Sequence, residues 1–192
     1  MLIQNREIIE EKVRSQLGDK RFAHTQRVTE MALRIAKAHK VSEEKVWVAA
    51  MLHDFAKDRS SEELIELLKE AGHPVTFAES KEKALLHAPA AAILAQKELG
   101  ITDKEILDAI RYHTTGYPGM GKVAKIVYLA DAVEPSRKYK GVEKIRELAM
   151  RDLKRALLLS LQSTLMHLLE SQAIIHPASI EARNQLLSET SR

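Results

Sequence analysis

The chain has 192 residues, 45% of them hydrophobic and 4% aromatic, with no cysteine and a formal net charge of +3. That length suits one domain with a buried core of Leu, Ile, Val, Ala and Met, and the lack of cysteine excludes disulfides, zinc–thiolate sites and thiol catalysis. The small, evenly spread charge makes no case for a nucleic-acid surface, and the missing signal-peptide run and membrane-length apolar stretch point to a cytoplasmic protein with no membrane partner.

Hydrophobic spacing is helical throughout, and no alternating β-branched run suggests a strand. Helices are predicted over about 5–17, 21–40, 43–56, 61–72, 80–99, 103–114, 121–134, 141–172 and 177–189, an all-α fold of eight to nine helices. Ser42 with Glu44 and Lys45, Ser60-Ser61 with Glu62-Glu63, and Thr102-Asp103 with Glu105 read as N-caps with acidic first turns. Gly18, Gly72 and Gly100 stand where C-terminal caps belong. The longest break is Thr114–Gly121, a turn-rich loop. With neither repeats nor low-complexity segments, residues 1–192 are expected to form one domain, with a frayed SETSR tail.

Four of the eight histidines stand where polar side chains are unexpected. His24 opens a stripe continued by Val28, Met31 and Ile35, which turns its imidazole to the core. His113 closes a helix behind Ile106 and Ile110, and Asp131 follows Ala124 and Val127 in the same register. His53-Asp54 interrupts the apolar run 49–55, and His87 lies between Leu86 and Ala88-Pro89-Ala90-Ala91. A buried carboxylate is costly unless it is paired or ligates a metal. Singly, each residue has a bland explanation: Asp131 paired with Arg137 or Lys138, Asp54 with Lys57, a core histidine bonded to a carbonyl. Together they call for one cation. Imidazole and carboxylate without thiolate suit iron, manganese, cobalt, zinc or nickel better than calcium. His39, His73 and His167 need no function, and the run 156–161 is core or a homodimer face.

The order His24, His53-Asp54, Asp131 resembles the HD phosphohydrolase superfamily. Within it, residues 53–58 (HDFAKD), 86–89 (LHAP), 109–116 (AIRYHTTG) and 129–137 (LADAVEPSR) look like the YqeK family of bacterial symmetrical diadenosine tetraphosphate hydrolases. That resemblance implies a compact helical HD-domain bundle and an enzyme producing two ADP. It implies His24, His53, Asp54 and Asp131 as metal ligands, with iron the expected native metal. It further implies nucleotide contacts at Asp54, Phe55, Ala56, Lys57, His87, His113, Thr114, Asp131 and Arg137. Ile174, Ile175, His176, Pro177, Ala178 and Ser179 resemble the segment that closes over the nucleotide, so that 174–189 forms a cover.

Chemistry assigns roles to these residues. Hydrolysis of a phosphoanhydride is mainly positioning and electrostatics. Asp54 is suited to accept the proton of the attacking water. His87 and His113 either donate to non-bridging oxygens or hold a second metal. Lys57 and Arg137 supply positive charge, and the planar fork of Arg137 fits two oxygens at once. The rival readings are another HD-type nucleotide phosphatase or phosphodiesterase, a nucleotide-sensing module without catalysis, and a helical adaptor.

Overall fold

The computed structural model describes residues 6–190, with Thr190 described by its backbone alone. Among these residues eleven α-helices and one 3-10 turn follow one another, with no strand. They are α1 (Arg6–Gln16), α2 (Asp19–Ala38), α3 (Glu43–Leu52), α4 (Ser61–Glu70) and α5 (Phe77–Lys81), then the 3-10 turn Lys83–Leu85. After it come α6 (His87–Leu99), α7 (Lys104–Arg111), α8 (Lys122–Val133), α9 (Val142–Ala149), α10 (Leu153–Glu170) and α11 (Pro177–Thr190).

The all-helical expectation holds, but eight to nine helices is wrong, because two of the predicted helices break. The stretch 141–172 divides at Asp152, whose backbone is extended (φ −147°) and whose carboxylate accepts from the N–H groups of Lys154 and Arg155, both at 3.1 Å. A short polar side chain that caps the next helix ends the previous one. The stretch 80–99 divides because Thr76 and Glu79 form a capping box that starts α5 early. Pro89 is the third residue of α6, so the helix cannot be continued back through the carbonyl its ring would meet. The helix predicted over 43–56 stops at Leu52, and Gly18 precedes α2 as its N-cap instead of closing α1. Residue 5 of the first predicted helix lies outside the described residues. The tail expected to fray continues α11 as far as Thr190, and the last two residues lie outside the described ones.

Helix α3 is buried all round from Val46 to Leu52, as a central helix must be. It packs against α2, α7 and α8, while α9 and α10 flank α8 and α11 packs on α10. The stripe His24, Val28, Met31 and Ile35 of α2 is buried as its spacing predicts. The run 156–161 is largely core, with Ala156, Leu157 and Leu161 buried. No described helix is long and apolar enough to cross a membrane. Replacing Asp152 with Ala should lower stability by about 1 kcal/mol, read as a reduced urea midpoint at unchanged m. An unchanged midpoint would show that packing alone sets the break.

Candidate metal centre

Four imidazoles reach one buried place from different parts of the chain. His24 projects from α2, His53 follows the end of α3, His87 opens α6 and His113 lies just beyond α7. Each ring is fixed through Nδ1. His53 Nδ1 donates to the carbonyl of Ala50 at 2.6 Å, His87 Nδ1 to Ala84 at 2.6 Å and His113 Nδ1 to Ile110 at 2.8 Å. A carbonyl can only accept, so these rings carry their proton on Nδ1 and present a lone pair at Nε2. His24 Nδ1 is held in the same sense by a Glu134 carboxylate oxygen at 3.3 Å.

Those four Nε2 atoms converge on two aspartates. His24 Nε2 is 3.1 Å from Asp131 Oδ1 and 3.9 Å from Asp54 Oδ2, and His53 Nε2 is 3.5 Å from Asp54 Oδ2. On the other side of Asp54, Oδ1 is 3.1 Å from His87 Nε2 and 3.7 Å from His113 Nε2, and these two nitrogens are 3.1 Å apart. Lone pairs facing carboxylates and one another at such distances repel unless a cation lies among them. His53 Nε2 is buried without any hydrogen-bond partner, as a ligand atom would be. One ligand atom from each of His24, His53 and Asp131, and from each of His53, Asp54 and His113, lies within 4.8 Å of the others in its group. The residues fit a divalent metal, and their nitrogen and oxygen donors suit a transition metal.

Titration follows the same geometry. Burial pushes the Asp54 carboxyl up, but the His53, His113 and His87 rings packed around it outweigh that and hold Asp54 well below the usual carboxylate range. Asp131 is also held low: burial is overcome by the His24 and His53 rings beside it and the charge of Arg137. For His53 burial opposes the charged form, and Asp54 with Asp131 reverses that and raises its pKa. His87 goes the other way, pushed down to about 4 by burial against the pull of Asp54. Its ring is therefore neutral near pH 7, and its Nε2 accepts and does not donate.

The cationic side chains stand around this cluster. Arg137 clamps Asp131, with Nη2 2.6 Å from Oδ1 and Nε donating to the Asp131 carbonyl at 2.9 Å, so the bland pairing exists beside the His24 contact. Lys57 Nζ lies 3.3 Å from His87 Nδ1 and 3.5 Å from its Nε2, the nitrogen that can accept from it. Phe55 and Ala56 are core residues, 1% and 0% exposed, and line no part of the open surface. A cavity of about 760 Å³ opens beside the cluster between α8 and α10. His113, Thr114, Asp131 and Arg137 line it together with Tyr128, Tyr139, Thr164 and His167. Residues 174–179 do not line it, but Ser179 Oγ donates to the Thr115 carbonyl at 2.8 Å and ties that segment to the loop after His113.

A histidine, a His–Asp doublet and a distal aspartate meeting on a helical frame define an HD domain, and the chain belongs to the HD domain family, whose model matches residues 21–136. Its relatives narrow this. The symmetrical bis(5'-nucleosyl)-tetraphosphatase of Bacillus subtilis (strain 168) is 38% identical over 184 residues, 96% of this chain and 98% of that protein. The enzyme of the same name from Halalkalibacterium halodurans is 40% identical over 179 residues, 92% and 94% of the two chains. A crystal structure from Clostridium acetobutylicum, described as a predicted HD superfamily hydrolase involved in NAD metabolism, superposes with a TM-score of 0.93 at 37% identity. It covers 97% of this chain and 99% of the other.

Three residues escaped the sequence reading. Glu134, 1% exposed, holds His24 and also accepts from Arg27 Nε at 2.9 Å, Ser136 N at 2.8 Å and the Ser136 hydroxyl. Burial raises its pKa, but the Ser136 and Arg27 bonds outweigh that and bring it down to about 2. Arg21 Nη1 lies 3.1 Å from Asp54 Oδ2. His167 was set aside and lines the cavity. The available signal was spacing: Arg21 and Arg27 lie one turn either side of His24, and Glu134 one turn beyond Asp131.

Two expectations follow from these contacts. Replacing Glu134 with Gln frees the His24 ring and should weaken metal binding roughly 10–100-fold with helicity unchanged, measured by chelator competition and circular dichroism; unchanged affinity would contradict the orienting role. Unfolded His87 takes its proton near pH 6.5 and folded His87 only near 4, so across that window the unfolded chain holds more protons and apoprotein stability falls as pH falls. Urea midpoints over that range should fall less steeply for His87→Gln, and an equal or steeper fall would refute the shift.

Proposed function

We propose that the chain is a metal-dependent hydrolase that cleaves diadenosine tetraphosphate symmetrically, releasing two ADP. The observation that carries this is the convergence of four unprotonated Nε2 atoms on Asp54 and Asp131 beside a cavity walled by Arg137 and Thr114. Relatives named symmetrical bis(5'-nucleosyl)-tetraphosphatase, aligned over nearly the whole chain, supply the substrate class.

His24, His53, Asp54 and Asp131 would hold the metal, with iron the first expectation and manganese, cobalt, zinc and nickel as alternatives. Such an ion lowers the pKa of bound water and polarises a phosphoryl oxygen. Asp54, held ionised, is placed to take the proton of the attacking water. The water oxygen bonds to one of the two central phosphorus atoms, the bridging P–O bond breaks, and its electrons leave on the departing ADP. Arg137 reaches out beside Asp131 and can grip two phosphate oxygens through its fork. Thr114 Oγ1 is buried without a partner and lines the cavity, which leaves its hydroxyl for phosphate. Lys57, against His87, adds charge on the far side. The Nδ1-protonated tautomer of His87 and His113 favours their service as ligands of a second metal over donation to phosphate oxygens.

The cavity lies within the roughly 300–1,000 Å³ span of small-ligand clefts, and we assign it to one nucleoside half. Residues 1–192 act as one domain in this reading, with 174–189 closing over the nucleotide through Ile174, Ile175, His176, Pro177, Ala178 and Ser179. The Ser179–Thr115 bond supports this. A cytoplasmic location belongs to the proposal, and exposed Met166, Leu169 and Ile180 are the apolar side chains a homodimer would use.

A second reading, hydrolysis of a different nucleotide, has the description of the Clostridium acetobutylicum protein in its favour. Chromatography of the products decides between them: ADP alone is expected from diadenosine tetraphosphate, and AMP with ATP, or no turnover, overturns the symmetrical assignment. Asp54→Ala should reduce turnover to background and lower bound metal while helicity is kept; an active, metal-loaded variant would sink the role given to Asp54.

A further inference from the structure

Helix α8 carries Asp131 to the metal cluster, and it ends without a left-handed cap: Glu134, which follows Val133, is extended at φ −54° and ψ 155°. The last carbonyls of a helix have no partner within it, so side chains from further along the chain must meet them. Arg137 Nε donates to the Asp131 carbonyl at 2.9 Å, the Tyr139 hydroxyl to Ala132 at 3.0 Å, and Arg146 Nε to Val133 at 2.9 Å. Arg146, on α9, does more than cap. Its Nη2 donates to the Glu134 carbonyl at 3.3 Å and to the Arg137 carbonyl at 3.5 Å, and its Nη1 meets the Glu143 carboxylate. One guanidinium, its side chain 22% exposed, therefore holds three carbonyls of the segment 133–137.

We propose that Arg146 is a positioning residue for Arg137: it fixes the backbone from which the Arg137 fork reaches phosphate, and so sets substrate affinity from outside the site. This rests on the tetraphosphate reading above and on the phosphate role given there to Arg137. Arg137 is held at both ends, its Nη2 on Asp131 Oδ1 at 2.6 Å and its carbonyl on Arg146; its own N–H closes a turn on the Glu134 carbonyl at 2.9 Å. A long side chain loses rotamer freedom when it grips a ligand, and anchoring it beforehand removes part of that cost. The Glu134 carboxylate is held separately, by Arg27 and Ser136, so the orientation of His24 does not depend on Arg146. A change at Arg146 should therefore separate phosphate binding from metal binding.

The test is a double-substitution cycle on metal-loaded protein. Calorimetry follows a diadenosine tetraphosphate analogue with a methylene in place of the central bridging oxygen. Arg146→Met keeps an apolar stem and removes the donors; it should weaken the analogue about tenfold, with metal content by emission spectroscopy unchanged. In an Arg137→Gln background the same change should cost less than about twofold, because the side chain it positions is gone. Arg146→Lys, a point donor in place of the fork, should lose less than Arg146→Met, and it carries the same comparison if the Met variant folds poorly. An equal loss in both backgrounds would make Arg146 a support for the fold alone. Loss of metal would place its action at Glu134 and His24, and unchanged affinity would show no positioning; each of the three overturns the proposal. If the unaltered protein releases no ADP from diadenosine tetraphosphate, the underlying functional reading fails and this inference falls with it, a result separable from any coupling between Arg146 and Arg137.

Discussion

The Nδ1 protons of His53, His87 and His113 are fixed on the carbonyls of Ala50, Ala84 and Ile110, each three residues back in its own chain segment. That local bond leaves each ring one lone pair to offer, always at Nε2 and always toward the same point. His24 obeys the rule with Glu134 in place of a carbonyl. Two ionised aspartates occupy the space these lone pairs face. Without protons or a metal, such a cluster would be a concentration of unneutralised electron pairs in a dry interior, a cost of several kcal/mol per buried charge. A cation bound there would tie together α2, α3, α6, α7 and α8, which surround it.

The helical frame answers this by supplying ligands from rigid parts. α3 is apolar on every side, so its end can be driven into the centre and deliver His53 and Asp54 at no exposure. α2 and α8 lie against it and contribute one face each, and the loop after α7 brings His113 and Thr114 together. The α8–α10 cavity then opens from the ligands themselves, since His113 and Asp131 belong both to the cluster and to its wall. Under the proposed function, binding and chemistry would share residues, and a nucleotide filling the cavity would reach the metal directly.

Much of this was legible in the sequence because helical spacing is a strong signal. The stripe Val28, Met31, Ile35 places His24 inside, while Asp131, behind Ala124 and Val127, reaches the cluster with its side chain still 23% exposed. Helix breaks were harder. The Asp152 cap and the Thr76–Glu79 box are readable in principle, but a continuous apolar pattern on both sides masked them. Glu134 was overlooked because a carboxylate at a helix end is usually exposed, and only the approach of α2 buries it against Arg27 and His24. His167 sits on a helix whose packing depends on where α8 lies, so no local pattern announced it. Tertiary proximity, absent from any local window, separates the residues found from those missed.

Anomalous diffraction from crystals of the gently purified protein, collected at the absorption edges of iron, manganese, cobalt, nickel and zinc, reads the cluster directly. A peak at about 2.0–2.2 Å from His24 Nε2, His53 Nε2 and carboxylate oxygens of Asp54 and Asp131 is the expected result. A hydrolytically active protein with no peak there, or with its metal bound by other residues, would contradict it.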